Sequence, residues 1–313
     1  MKSESFKGKI LVTSYKNPDL DGTACMIAYS KLLKELGIDT ESGYFGKLNP
    51  EAKYVLEKFE IPFPKKGDNI IEDSDGIVIV DNVNPDGLSD KIDLKKVIEI
   101  IDHHYSERNL LENYPNVKGQ IEKVGAAATL IVERHMDSKV TVDKDSAILL
   151  YGAIISNTLN FKSNTTTERD KKAAEWLKDF VNIPDNFVRD MFGSKSDLSG
   201  KNMYKILSGD LKQLTKESLY IAQLEIIDLE KTLNERKEEL IKALQKIKKD
   251  NKGRYIFLTG MDLEKGFNIF MVVDEDSKKL LEDSLELEFT DNVAKREGLM
   301  MRKELIPIIK SYL

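Results

Sequence analysis

The stretch Lys9–Gly37, KILVTSYKNPDLDGTACMIAYSKLLKELG, reads as a strand, a turn and a helix in succession. KILVTS is a short apolar run of the kind that parallel sheets bury on both faces. From Thr23 to Leu36 the apolar residues recur at helical spacing, so the spacing predicts a helix over 23–36. Between strand and helix, NPDLDG sets Asp19 and Asp21 two residues apart. Read locally, this is a turn and an N-cap, because an aspartate ahead of a helix accepts orphan backbone N–H groups. Read chemically, two carboxylates where a strand ends are half of a cation site.

The same alternation continues outward. GIVIVD (76–81) and VIEIID (97–102) repeat the buried-strand pattern, and helical patterns occupy 50–59, 126–138, 143–158 and 167–180. The chain is therefore expected to build an α/β N-terminal domain with a mostly parallel sheet. Asp81 ends the second strand and Asp102 the third, and ligands bind along the carboxyl edge of such sheets. The Gly/Ser-rich GSKSDLSGKN (193–202) reads as a linker between a domain at 1–192 and a smaller α+β domain at 203–313. In the second domain, strands are expected at 218–228, RYIFLTGMD and FNIFMVVDE, a charged helix at 229–250, and a short strand then a helix in GLMMRKELIPIIKSYL.

Composition narrows the classes. The 313 residues carry a formal net charge of -6, with 33% charged and 41% hydrophobic residues, which is a globular balance without a basic footprint for nucleic acid. One cysteine, Cys25, allows no disulfide within the chain. MKSESFKGK has no apolar signal segment, and no apolar run nears the ~20 residues of a membrane span, so a cytoplasmic location and no membrane partner are expected. Cys25 reads as core, His135 as a residue favoured by a helix C-terminus, and the start of VGAAATL as a close-packed turn whose N–H groups suit an anion. NTTTERDKK reads as a helix cap.

Two of the three histidines are adjacent, His103 and His104, directly after Asp102. Alternation at a strand end sends their side chains different ways, so one can ligate while the other faces substrate. Carboxylates with imidazole suit Mn²⁺ or Mg²⁺. The motifs NPDLDG, IVD (79–81), IDHH (101–104) and GAIISNTLNFKS (152–163) occur in the order of the DHH phosphoesterase superfamily, and the chain most resembles its family II, manganese-dependent inorganic pyrophosphatases. SGDLKQL (208–214) and EGLMMRKELIP (297–307) resemble segments of that family's C-terminal DHHA2 domain. The GGGH-type ending of related nucleases and nucleotide phosphodiesterases is absent.

The resemblance implies an N-terminal DHH domain with a C-terminal DHHA2 domain, and hydrolysis of a phosphoanhydride, with pyrophosphate as the default substrate, by metal-activated water between them. It implies Asp19 on one ion, Asp21 and His103 on the other, and Asp81 bridging both as a catalytic ligand. His104 would face substrate as donor or acid, and Lys212, Arg302 and Lys303 would bind phosphate. The cofactor implied is Mn²⁺, with Mg²⁺ or Co²⁺ as substitutes, and the assembly a homodimer. Three positions depart from the family. Tyr15 stands in place of a histidine ligand, Asn157 in place of an aspartate ligand, and Asn82 follows Asp81 where a histidine is common. An amide oxygen still coordinates, whereas a phenol does so only when its proton is displaced. One ion rather than two is then held tightly. Two alternatives stay open: a degenerate relative that binds a phosphate ligand or partner without turnover, and a phosphodiesterase on short nucleic acid or nucleotides.

Overall fold

The structure, a computed structural model, describes residues 8–104, 108–196 and 198–313, with the side chain of Lys303 outside the description. Residues 1–191 and 192–313 form two compact units.

The first unit is built on six strands: β1 (Ile10–Thr13), β2 (Thr40–Tyr44), β3 (Lys65–Lys66), β4 (Gly76–Val80), β5 (Val97–Asp102) and β6 (Lys118–Ile121). All pair parallel, in the order β3-β2-β1-β4-β5-β6. Every residue of β1 and β4 is buried, as continuous apolar runs covered on both faces require. Its helices are α1 (Leu20–Glu35), α2 (Pro50–Lys58), α3 (Leu110–Asn113), α4 (Ala127–Ser138), α5 (Lys144–Asn157) and α6 (Glu168–Leu177); α7 (Phe187–Ser196) begins in this unit and runs past residue 191 into the stretch that reads as linker. α1 packs against α4 and α5. Its first turn lies so close to the end of β1 that a Cβ on Gly22 would sit 2.4 Å from Ser14 Oγ. Only glycine permits that approach.

This strand order reverses direction between β1 and β4, which is where open parallel sheets open a crevice at their carboxyl edge. Thr13 pairs with Ile79 and Val80 with Ile101, so β1, β4 and β5 end side by side.

The second unit holds β7 (Leu211–Leu214), β8 (Leu219–Ile226), β9 (Tyr255–Asp262), β10 (Phe267–Val272) and β11 (Val293–Glu297), in the order β11-β10-β9-β8-β7. Only β8 and β9 pair parallel, joined by the crossover helix α9 (Leu229–Asn251), with α8 (Met203–Gly209) before the sheet and α10 (Glu275–Leu285) and α11 (Arg302–Lys310) after. Alternate residues divide between two cores: Ala222, Leu224, Leu258 and Met271 pack with α9, while Ile221, Phe257, Phe270 and Val272 pack with α10 and α11. The strand expected just before the terminal helix lies earlier, at β11, because Gly298 turns the backbone at φ 79°. Among the described residues no helix is long and apolar enough to cross a membrane.

Candidate metal centre

Asp81 occupies the residue after β4 with φ 58°, a left-handed conformation that a non-glycine residue holds only at a cost of roughly 1–3 kcal/mol. Its backbone N–H donates to Ile101 O at 2.7 Å, which fixes the turn. Both carboxylate oxygens are buried without a hydrogen-bond partner. Burial, and then the charges of Asp21 and Asp19, push its pKa well above the ordinary carboxylate value.

Asp102 ends β5 and organises the histidine pair. Its Oδ1 accepts from the backbone N–H groups of His103 at 2.7 Å and His104 at 3.1 Å, and from His104 Nδ1 at 2.8 Å. His103 Nδ1 lies 2.9 Å from Val124 O. A carbonyl only accepts, so Nδ1 carries a proton, and in the neutral tautomer this selects, Nε2 is the atom that presents a lone pair. That Nε2 is buried and unpartnered, 3.4 Å from Asp81 Oδ1 and 3.8 Å from Asp21 Oδ2. The His104 side chain is instead 56% exposed. Partial burial lowers its pKa, but the bond to Asp102 and the charge of Asp81 outweigh it and hold the pKa above the ordinary histidine value.

Asp19 caps α1, accepting from Gly22 N at 3.0 Å, and its own N–H donates to Tyr15 Oη at 3.0 Å. Burial and the charges of Asp19 and Asp81 raise the Tyr15 pKa well above its normal value, so the phenol keeps its proton. Asp21 is fully buried; Oδ2 accepts from Ala127 N at 2.7 Å and Asn157 Nδ2 at 2.6 Å, Oδ1 from Ala128 N at 2.8 Å. The anion that meets the N–H groups at the start of α4 is thus a carboxylate of the chain itself. Asn82 is turned toward the loop, donating to Asn84 O at 2.8 Å.

Tyr15, Asp19, Asp81, Asn82, Asn84 and His104 are among the residues that line a cavity of ≈ 340 Å³ in the first unit. Among the described residues no lysine or arginine pairs with Asp19, Asp21, Asp81 or Asp102; their only ion-pair partners are His103 and His104. Carboxylates crowded into low dielectric without a lysine or arginine partner are stabilised by a proton or a cation. Donor atoms of Asp81, Asp102, His103 and His104 lie within 4.8 Å of one another. Two ligands that each bind an ion at about 2.1 Å sit roughly 3.0–3.4 Å apart, so Asp81 and His103 fit one divalent ion.

In the second unit, Lys212 is exposed on β7 opposite Ile221. Arg302 opens α11, where Nη1 donates to Asp210 O at 2.6 Å and Nη2 pairs with the Asp210 carboxylate. Sequence reading gave no role to Asp210, whose one signal is its place in SGDLKQL, or to Asp170, whose one signal is a cap pattern. Asp170 is fully buried and accepts from Gly125 N, Thr129 Oγ1 and Thr167, completing a capping box that starts α6. Asp102 was legible as a strand end, but its bonds to both histidines were not. Cys25 is buried in the core. His135 departs from expectation: it lies in the last turn of α4, yet it is buried and its pKa is lowered, so it is a neutral core residue rather than a dipole-stabilised cation.

Two family models match the chain: the DHH family, N-terminal domain, over residues 9–154, and the DHHA2 domain over residues 189–312. A "probable manganese-dependent inorganic pyrophosphatase" of Bacillus licheniformis is 33% identical over 301 residues, covering 95% of this chain and 96% of the relative. One from Bacillus cereus is 30% identical over 318 residues, covering 96% and 97%. A solved structure from Methanococcus jannaschii, assigned to the family II inorganic pyrophosphatases, superposes with a TM-score of 0.70 at 27% identity, covering 96% of this chain and 98% of that one. An exopolyphosphatase-related protein from Bacteroides fragilis shares the fold, with a TM-score of 0.52 at 14% identity over 97% of this chain and 91% of its own.

Proposed function

The chain belongs to the DHH family, in the branch that carries a DHHA2 domain and includes manganese-dependent inorganic pyrophosphatases, and from that premise we propose that it hydrolyses inorganic pyrophosphate with divalent manganese. The observation that carries the reading is the pair of buried, unpartnered Asp81 oxygens facing the unpartnered Nε2 of His103. Both are lone-pair donors placed for an ion that favours carboxylate and imidazole.

When bound, the ion supplies Lewis acidity, which makes water a competent nucleophile near neutral pH and offsets phosphoryl charge. The protein does the rest. Asp102 holds Nδ1–H of His104, which orients the ring in the cavity. The raised pKa of His104 keeps a proton on the imidazole to a higher pH, so it can donate to the oxygen of the departing phosphate. Tyr15, protonated and lining the same cavity, offers a second donor, an O–H, to substrate oxygens. Lys212, Arg302 and Lys303 are proposed phosphate-binding cations on the resemblance of their segments; Arg302 is held in shape by Asp210.

Ligand binding without turnover is a second reading, favoured by a protonated phenol at Tyr15 and an amide donor at Asn157 where relatives of the resembled family have ligands. Phosphate release from pyrophosphate, polyphosphate and short oligonucleotides, each with Mn²⁺, Mg²⁺ and Co²⁺, separates the readings. Turnover of pyrophosphate with Mn²⁺, lost in Asp81→Ala, is expected. Wild type no faster than that control on every substrate would leave only the binding role.

A further inference from the structure

We infer that this chain builds a single-ion centre, in which Asn157 and the first turn of α4 lock Asp21 into a structural role and leave Asp81 and His103 to hold the ion. The inference rests on the reading that this sheet edge binds manganese, and it concerns how the chain's own residues divide the work.

A carboxylate offers about four acceptor directions. Asp21 uses them on Ala127 N at 2.7 Å, Ala128 N at 2.8 Å, Asn157 Nδ2 at 2.6 Å and the Cys25 thiol at 3.4 Å. Two of these donors are N–H groups in the first turn of a helix, which have no intrahelical partner and are suited to negative charge. The buried Asp81, one strand over, uses none. An ion entering between them finds free lone pairs on Asp81 and His103, and on Asp21 only lone pairs already spent.

Asn157 decides this division. At 2.6 Å from the fully buried Asp21, a second carboxylate would force two negative charges together and could persist only with a shared proton or a cation between them. The amide removes that charge and places N–H where a cation would otherwise be required. Tyr15 makes a parallel change on the other flank. Its oxygen already accepts from Asp19 N at 3.0 Å, and its remaining capacity is an O–H donor in the cavity it lines together with Asp19 and Asp81. Donors satisfy carboxylates but repel cations, so both flanks are neutralised without a second ion.

The test is a count of ions. Full-length protein, freed of metal and titrated with Mn²⁺ by calorimetry, should bind one equivalent per chain. Its low-temperature electron paramagnetic resonance spectrum should be that of an isolated Mn²⁺. The double variant Tyr15→His with Asn157→Asp should bind two equivalents and show exchange coupling between them, with circular dichroism confirming that it folds. Two coupled ions in the wild type, or none, overturn the inference, and that measurement decides even when the variant does not fold. Phosphate release is read separately. One bound ion without turnover sinks the proposed activity and keeps the single-ion centre, whereas two ions with turnover does the reverse.

Discussion

Asp170→Ala tests how the first unit assembles the wall behind Asp21. The carboxylate takes Gly125 N at 3.0 and 2.9 Å, Thr129 Oγ1 at 2.6 Å, and Thr167 N and Oγ1 at 2.7 Å each. Truncation leaves the buried N–H of Gly125 and hydroxyl of Thr129 without a partner, at about 1–3 kcal/mol each. It also breaks the capping box of α6, worth about 1 kcal/mol. The sum is roughly 3–7 kcal/mol, large against a total stability of about 5–15 kcal/mol for a domain. Trp176, the only tryptophan, lies on α6 six residues from the change, so its fluorescence reports on this unit. Urea unfolding followed by that fluorescence should show a midpoint loss of this size, with Asp170→Asn, which keeps the shape and one acceptor oxygen, between variant and wild type. A loss below about 1 kcal/mol for Asp170→Ala, at unchanged slope, would refute the reasoning, since it would mean that these donors find water instead.

Asp102→Asn removes the charge that raises His104 and orients its Nδ1–H; the His104 pKa should fall, as read by NMR titration of the ring, and phosphate release should drop roughly a hundredfold. His135 is buried with its pKa lowered by desolvation, so the unfolded chain takes up the proton first as pH falls. Stability from this group is present above pH ~6.5 and is lost below it, and His135→Gln should flatten that part of the melting-temperature profile between pH 7 and pH 5 relative to wild type. Asp210→Asn loosens Arg302, and a rise in KM for pyrophosphate of about tenfold is expected, with bound manganese unchanged; an unaltered KM would remove Arg302 from substrate binding.

The order of elements was legible because it is written in short-range periodicity. KILVTS, GIVIVD and VIEIID are apolar enough to require cover on both faces, and the helices between them leave a parallel sheet as the arrangement that supplies it. The strands at the sheet edges, and β2 beside the edge strand β3, were not legible. TESGY, KGQI and VAKRE are polar, and they pair because a neighbour presents unfilled backbone groups rather than because of their own pattern. In the second unit the apolar runs of YIFLTGMD and FNIFMV marked two strands, but not that one sheet face takes α9 and the other α10 and α11.

The candidate site divides the same way. Residue types and their places at strand ends follow from the sequence alone: Asp19 and Asp21 after β1, Asp81 after β4, and Asp102, His103 and His104 closing β5. Which lone pairs remain free does not follow. Asp21 is satisfied by Ala127, Ala128 and Asn157, 106 to 136 residues away, and His103 is oriented by Val124 O. A carboxylate reads the same in sequence whether its oxygens are spent or open, since the donors that decide it are brought in by the packing of α1 against α4 and α5. Chemical capacity is a property of the residue; its availability is a property of the closed fold.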